Sequence, residues 1–590
     1  MKKRSALSFG ILFAALFMGA IVGCAYPTTT PTPVPSPVPE LVPPSSTTSS
    51  EPELVLTPST AGSEPGLVPA PSTTSSVPEK GYTITIAPYD SSADVSEVDY
   101  LLDGDRDNVE IQEAINSLNV TGGQIKVLEG TVIVDQEIII EHNNISLEGS
   151  NTVWKPKLYE EQNLVNDSGI ATLLNVAESS NFVVGQSVWI RDDDTYENAS
   201  DYRHIVSIPD DTTIEIDSST SKNWVVAEGA RIVGLCRYIS IQDESEVNPI
   251  RNTTITGFVF EGNADKMTSS GSWHVPMINL RNTSGAIIDN CYFRNGRTCA
   301  VFFSGAGGDL TNCHFYNFVD KNSSNKYDVI HSGSGTQTYH YVIIEGNFFE
   351  EISAESVIFL CMNIKREIIV NNIIYCTDKC NYGVNINHHG HQWAIIANNQ
   401  IIGPNRGIDD LGQYNLIEGN VIRDCSDCGL RLRGNRGIAR SNLIYNCATR
   451  GVEVIGNYYT IQGNLITGCN KGIRMNGTNY CIVTDNNLQN NTGGGMEFNE
   501  TNIDNTIRDN KGYTTENCGA ASISFGATNE VVSHGLDDVP TIINIAFTEQ
   551  AKNDYGTWWI SDINGRTFTL NVSSEPGASN LDFWWEAKVR

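Results

Sequence analysis

From residue 290 onward the chain aligns on itself, and no stretch there keeps a helical period. An asparagine ahead of an apolar position recurs at Asn290, Asn312, Asn347, Asn372, Asn399, Asn420, Asn442, Asn464, Asn486 and Asn510; the last six lie 21, 22, 22, 22 and 24 residues apart. In step with it runs a small residue followed by apolar-x-apolar: Gly383-Val384-Asn385-Ile386, Gly429-Leu430-Arg431-Leu432, Gly451-Val452-Glu453-Val454, Gly472-Ile473-Arg474-Met475 and Gly495-Met496-Glu497-Phe498. The alternation predicts two short strands per repeat.

A repeat of that length without a helix buries its apolar positions only by stacking on its neighbours. The expected fold is all-β, a right-handed parallel β-helix. Equivalent positions then stack about 4.8 Å apart, and an inward asparagine at a turn bonds its copies above and below. Cys425, Cys447 and Cys469 form a second column, five residues after three of the asparagines. Leucine-rich repeats share the period but pair it with helices.

The N-terminal flank carries an Asp-rich turn from Asp103 to Asn108, a helix reading Ile111-Gln112-Glu113-Ala114-Ile115, a Gly122-Gly123 turn and Glu129-Gly130-Thr131 in a hairpin. These elements resemble the opening of pectate-lyase-superfamily (pectin-lyase-like) proteins, which implies a helix covering the open end of the stack. Ile111, Ala114, Ile115 and Leu118 share one helix face, with Asp107 as its N-cap and Glu110 three residues on. Such a cover protects an edge that otherwise invites aggregation.

The remaining segments are read by pattern and composition. Residues 1–24 are a signal peptide, basic at Lys2-Lys3-Arg4, apolar from Ala6 to Val22 and ending Ile21-Val22-Gly23-Cys24. That ending resembles the bacterial lipobox, which implies lipidation of Cys24. Residues 25–80, rich in Pro, Ser and Thr, are a tether that cannot bury enough surface to fold. Residues 81–165 hold the cap and first coils, 166–240 an inserted small β-barrel-like domain, 241–517 the repeats, and 518–590 a C-terminal β-sandwich module. The expected location is outside the cytoplasm, lipid-anchored to the cell envelope and surface-exposed.

Composition narrows the partners. With 69 acidic and 38 basic residues the formal charge is −31, so nucleic acid is excluded and the bilayer is met only through the acyl anchor. The same charge disfavours a polyuronate unless cations bridge it. Fourteen cysteines raise the question of disulfides. Their recurrence at one coil position fits buried thiols, and the Cys376/Cys380 and Cys425/Cys428 pairs lack the second pair a zinc site needs. No metal site is assigned.

Aligning the first strand of each coil puts Asp328 and Ser356 in a column with Gly383, Gly407, Gly429, Gly451 and Gly472. Two steps on, Ile330, Ile358, Asn385, Asp409, Arg431, Glu453, Arg474 and Glu497 are expected to face outward, with signs alternating from Asp409. Asp410 stands in the next column among Phe303, Phe359, Ile386, Leu432 and Val454, so it is either turned out or half-buried with a raised pKa. Histidines concentrate between residues 274 and 391, on the longest coils, whose loops are expected to wall this face.

The catalytic candidates are therefore Asp409, Asp410, Asp328, His389 and Arg431, and the substrate-binding candidates His331, His388, His391, Trp393 and Arg433. Asp409-Asp410 and His389-Gly390-His391 resemble motifs of polygalacturonase-like hydrolases, but the histidine motif precedes the Asp pair, and Arg431-Leu432-Arg433 replaces Arg-x-Lys. Arg431 beside Asp409 also allows pectate-lyase chemistry, which uses calcium and a basic residue. Asp103-x-Asp105-x-Asp107 offers oxygen ligands at calcium spacing, yet it lies in the cap and lacks the glycine and distal glutamate of a full loop. No cofactor is required, calcium being the one candidate. Trp558-Trp559 and Trp584-Trp585 are expected to send one ring each outward, Trp559 and Trp584 serving as a sugar platform.

The expected function is binding and cleavage of a polysaccharide, by a glycoside hydrolase in preference to a lyase. The alternative is a non-catalytic carbohydrate-binding adhesin or surface-layer protein on the same scaffold. The oligomeric state is open, a trimer being one option.

Overall fold

The computed structural model describes residues 82–118, 121–157, 162–192, 201–234, 237–242, 249–262, 276–296, 299–318, 327–333, 341–361, 366–377, 379–548, 556–577 and 580–589. Cys24 and the 25–80 tether lie outside the described residues, as do 319–326, 334–340 and 362–365, which hold most of the long loops expected to wall the stack. The chain divides after Ser75, and every described residue belongs to the second unit.

The repeats form a parallel β-helix with three strands per coil rather than two. In one coil these are Cys428–Leu432, Ile438–Arg440 and Leu443–Tyr445, followed by Arg450–Val454 one level on. The first sheet stacks twelve such strands, from Ile138–Ile140 to Met496–Asn499. The second and third strands of each coil are only about three residues long and stack in parallel register. Period-2 alternation is hard to see over three residues, which is why two of the strands merge in the sequence pattern.

Inside, Phe260, Phe293, Phe315 and Phe349 stack face to face at 5.0, 4.9 and 4.6 Å, and Ile374, Ile401, Ile422 and Ile444 continue the same row, buried. These isoleucines explain the glycine column. A Cβ on Gly407 would sit 2.4 Å from Ile422 Cγ2 and 2.5 Å from Gly429 O.

The asparagine row is a continuous hydrogen-bonded column from Asn347 to Asn510. Asn442 Nδ2 donates to Ile417 O and to Asn464 Oδ1, both at 3.0 Å, while its Oδ1 accepts from the Asn420 amide N–H at 3.0 Å. Asn290 and Asn312 do not belong to it. Cys313 occupies that buried position, its N–H donating to Asn347 Oδ1, and Asn290 and Asn312 sit one residue earlier in left-handed turns.

The column assigned to Asp328 and Ser356 is also one residue off. The pairing runs Asp328, Ser356, Tyr382, Arg406, Cys428 and Arg450. Val329 and Val357 stand where later coils carry glycine, so the small-residue marker misleads there. The slip reverses faces: Ile330 and Ile358 point inward with Val384, and Phe359 points outward beside His331 and Asn385.

At the N-terminus, helix Asn108–Leu118 buries Ile111, Ala114, Ile115 and Leu118. Asp107 does not cap it. Its carboxylate accepts from the amides of Gly104 and Ile133, and burial raises its pKa to about 6. Asp103 accepts from the Asp105 amide and Asp105 pairs with Lys157, so the three carboxylates are spent separately. Residues 162–234 carry a six-stranded antiparallel sheet with a core that includes Leu174, Val188, Ile214 and Trp224. After the last coil, Glu516–Ile523, Leu581–Lys588 and Ile542–Phe547 form one antiparallel sheet and Asn529–Ser533, Thr567–Val572 and Trp558–Ser561 another, enclosing Phe568, Leu570, Phe583 and Trp585. Among the described residues no helix is long and apolar enough to cross a membrane, and nine of the twelve cysteines are buried.

Candidate functional site on the first sheet

Strand Arg406–Asp410 sends consecutive carboxylates to opposite faces. Asp409 faces outward yet is solvent-inaccessible, because guanidinium groups cover it. Arg433 Nε donates to its Oδ1 at 2.6 Å, and nitrogens of Arg406 and Arg431 lie 3.7 Å from its Oδ2. Burial pushes the Asp409 carboxyl above the ordinary range, and the three arginines limit the rise.

Asp410 faces inward. Its Oδ1 accepts from the Gly412 amide at 2.9 Å and Asn415 Nδ2 at 2.8 Å, and its Oδ2 from the Tyr459 hydroxyl at 3.2 Å. Burial raises its pKa, against those bonds and the nearby His391. The two aspartates therefore do not share a substrate-facing surface.

The histidines separate in the same way. His391 is fully buried against Glu367, whose other oxygen accepts from Ser332 Oγ. Burial acts to lower the His391 pKa, but Glu367 and then Asp410 leave it raised. His388 and His389 are exposed, and His388 Nδ1 accepts from the Gly390 amide. His331 is buried between the Phe302 and Phe359 rings; its Nδ1 lies 3.0 Å from Asp328 Oδ2 and its Nε2 3.8 Å from Cys361 Sγ. Asp328 is three strand spacings from the Arg406 level, roughly 14 Å along the stack. That exceeds the separation of about 5 to 9.5 Å that glycosidase carboxyl pairs need.

What the geometry does assemble is a charged terrace. Asp409, Arg431, Glu453, Arg474 and Glu497 follow one another at strand spacing. Glu453 is nearly buried, not solvent-exposed, with Arg431 Nε at 3.0 Å and Arg450 Nη1 at 2.8 Å. Asp427 joins from the preceding turn, pairing with Arg406 and Arg450; its carboxyl is held below the ordinary range although burial alone would raise it. Side chains of Arg406, Arg431, Arg433, Arg450 and Arg474 remain 17 to 27% exposed, against 0% for Asp409 and 7% for Glu453. At the Asp409 and Glu453 levels the accessible layer is cationic, whereas Asp427 and Glu497, at 21 and 33%, reach solvent as the arginines do. Arg406, Arg450, Asp427 and Glu367 were missed in the sequence. The first two sit ahead of the glycine marker, where a repeated basic residue at 406, 450 and 471 was the available signal.

Trp393, exposed, stacks on Tyr414 at 4.6 Å. In the C-terminal sheets Trp585 is buried and Trp584 exposed, as alternation requires, but Trp558 and Trp559 are both exposed, since their strand lies at a sheet edge. Trp559 and Trp584 belong to different sheets and do not form one platform. Among the described residues no cluster of three His, Cys, Asp or Glu has metal-binding geometry.

Residues 407–535, which include most of this terrace, match the family model described as right handed beta helix region, and the coil is right-handed. No curated protein matches the chain in sequence. Among solved structures, the chain is similar to the Gp54 tailspike of Acinetobacter baumannii bacteriophage AP22, a complex with A. baumannii capsular saccharide, at 11% identity over 83% of this chain and 94% of that one, TM-score 0.39. It is also similar to the Azotobacter vinelandii mannuronan C-5 epimerase AlgE6 A-module, at 11% identity over 68% and 94%, TM-score 0.39. A third is PfbA, a surface adhesin of Streptococcus pneumoniae, at 14% identity over 69% and 90%, TM-score 0.41. These likenesses concern the fold alone.

Proposed function

We propose that the protein is an exported lipoprotein, anchored through Cys24, whose β-helix binds an acidic polysaccharide along the outer face of the first sheet. The observation that carries this reading is the row of partly exposed guanidinium groups standing over the submerged carboxylates of Asp409 and Glu453. Guanidinium forks suit carboxylate and sulfate groups, and a terrace repeating about every 4.8 Å suits a polymer. The net charge of −31 disfavours a polyuronate over most of the surface, whereas the local arginine row suits an acidic glycan.

Binding without hydrolysis fits the geometry better than cleavage, because Asp410 faces the interior, Asp328 lies three strand spacings from the Arg406 level, beyond the reach of a carboxyl pair, and Asp409 is covered. Retention of the purified protein on polygalacturonate or alginate, lost in Arg431→Gln/Arg433→Gln, with no reducing ends or unsaturated uronate released, is the expected result. Product release that disappears in Asp409→Asn would establish the hydrolase instead. For the anchor, Cys24→Ser should abolish partition of the mature protein into the detergent phase; a lipidated species in that variant would refute it.

A further inference from the structure

The coil has three rows of left-handed backbone, and two of them are filled as the backbone prefers. One runs Asn398, Gly419, Ser441, Gly463 and Asp485; another runs Gly403, Asp424, Asn446, Gly468 and Asn490. The third, in the turn after the first-sheet strand, holds Trp393, Tyr414, Arg436, Tyr458 and Tyr480 at φ 68, 60, 61, 61 and 58°. Bulky side chains there work against the backbone in these five coils, and Asp504 follows Tyr480 at the next level. They do not serve the core, since Trp393, Tyr458 and Tyr480 are 50, 49 and 49% exposed and Arg436 is exposed too.

The side chains of this row close on one another. Trp393 stacks on Tyr414 at 4.6 Å and 13°, and Tyr458 on Tyr480 at 5.1 Å and 11°. The Arg436 guanidinium lies between them, 5.6 Å from the Tyr414 ring and 5.5 Å from that of Tyr458. With the ring faces inside the row taken up by neighbours, solvent there meets ring edges, hydroxyls and guanidinium N–H groups. Stacking of a base or a sugar face is thereby confined to the outer faces of Trp393 and Tyr480 at the row's ends, and what the middle of the row offers is a line of donors. Its complement is a chain with negative oxygens at regular intervals. Arg436 follows Arg433 by three residues, so the row continues the terrace of the first sheet around the turn.

We propose that this turn row is a second contact line for the acidic polysaccharide, hydrogen-bonding its carboxylate or sulfate groups and holding the strand parallel to the coil axis. The proposal rests on the polysaccharide reading above. Asparagine accepts the left-handed backbone, so Tyr458→Asn/Tyr480→Asn removes two of the row's five side chains without straining the turn, and Tyr458→Phe removes one hydroxyl while keeping the stack. Binding to polygalacturonate, alginate and dextran sulfate, with neutral dextran as control, should weaken at least fivefold in the Asn double variant and about twofold in Tyr458→Phe. Both should keep the parent melting temperature. Unchanged affinity in these variants, with loss in Arg431→Gln/Arg433→Gln, would overturn the turn row and leave the first-sheet reading standing. Loss only in the turn variants would sustain the row and overturn the first-sheet reading. A lower melting temperature with affinity intact would show that the rings serve stacking alone, and a parent that binds none of the charged probes would overturn both.

Discussion

Asp409 and Asp410 are neighbours in the chain and in chemistry opposites. Asp409 depends on its arginines: Arg433→Ala should remove the 2.6 Å contact, leave a covered carboxylate with two partners at 3.7 Å, and cost about 2 kcal/mol in denaturant unfolding. Asp410 belongs to the interior, where its raised pKa makes ionisation unfavourable to folding. Its stabilising contribution is present at acid pH, below the unfolded carboxyl's pKa, and fades as pH rises through the higher folded value. Asp410→Asn keeps the bonds to Gly412 and Asn415 and offers its Nδ2 to the Tyr459 oxygen. The variant should therefore gain on the parent in melting temperature as pH rises from 4 to 7, with glycan binding unchanged. That Asp410 interrupts an apolar column was legible in the sequence. That its partners are Tyr459, 49 residues on, and Asn415 was not, because hydrogen bonds across the coil interior leave no mark on periodicity.

The element that governs the stack is the asparagine row. Asn442→Ala strands the amide of Asn420, the carbonyl of Ile417 and a lone pair of Asn464, at a cost of about 1 to 3 kcal/mol per buried group left unpaired. The exposed Arg440 to Glu418 pair is the proper control: Arg440→Ala should cost under about 1 kcal/mol. Similar shifts in chemical denaturation for both would contradict the assignment of faces. From Asn399 onward the 22-residue spacing showed this register directly, because glycine, asparagine and apolar positions all recur together. In the coils around Asp328 and Ser356 valine replaces the glycine, and before Asn347 cysteine replaces the asparagine. Two markers fail where a substitute fills the same space, so the pattern slipped by one residue and two faces were exchanged.

At the scale of the molecule, charge and period interlock. The asparagine row repeats every coil, whereas the signs of the terrace repeat every second coil, Asp409 to Arg431 to Glu453 to Arg474 to Glu497. Removing residues 443–464 rejoins Asn442 to Leu465 and keeps the row, but it sets Arg431 beside Arg474. Removing residues 443–486 takes out a second coil and brings Arg431 against Glu497. Like charges at strand spacing repel and opposite ones attract, so the larger deletion should melt higher than the smaller, by thermal unfolding at low salt, and the difference should shrink in high salt. The stack thus has a parity: as a lineage lengthens or trims it, changes by even numbers of turns pass through this surface without a fault, and odd ones leave a scar that a further substitution must heal.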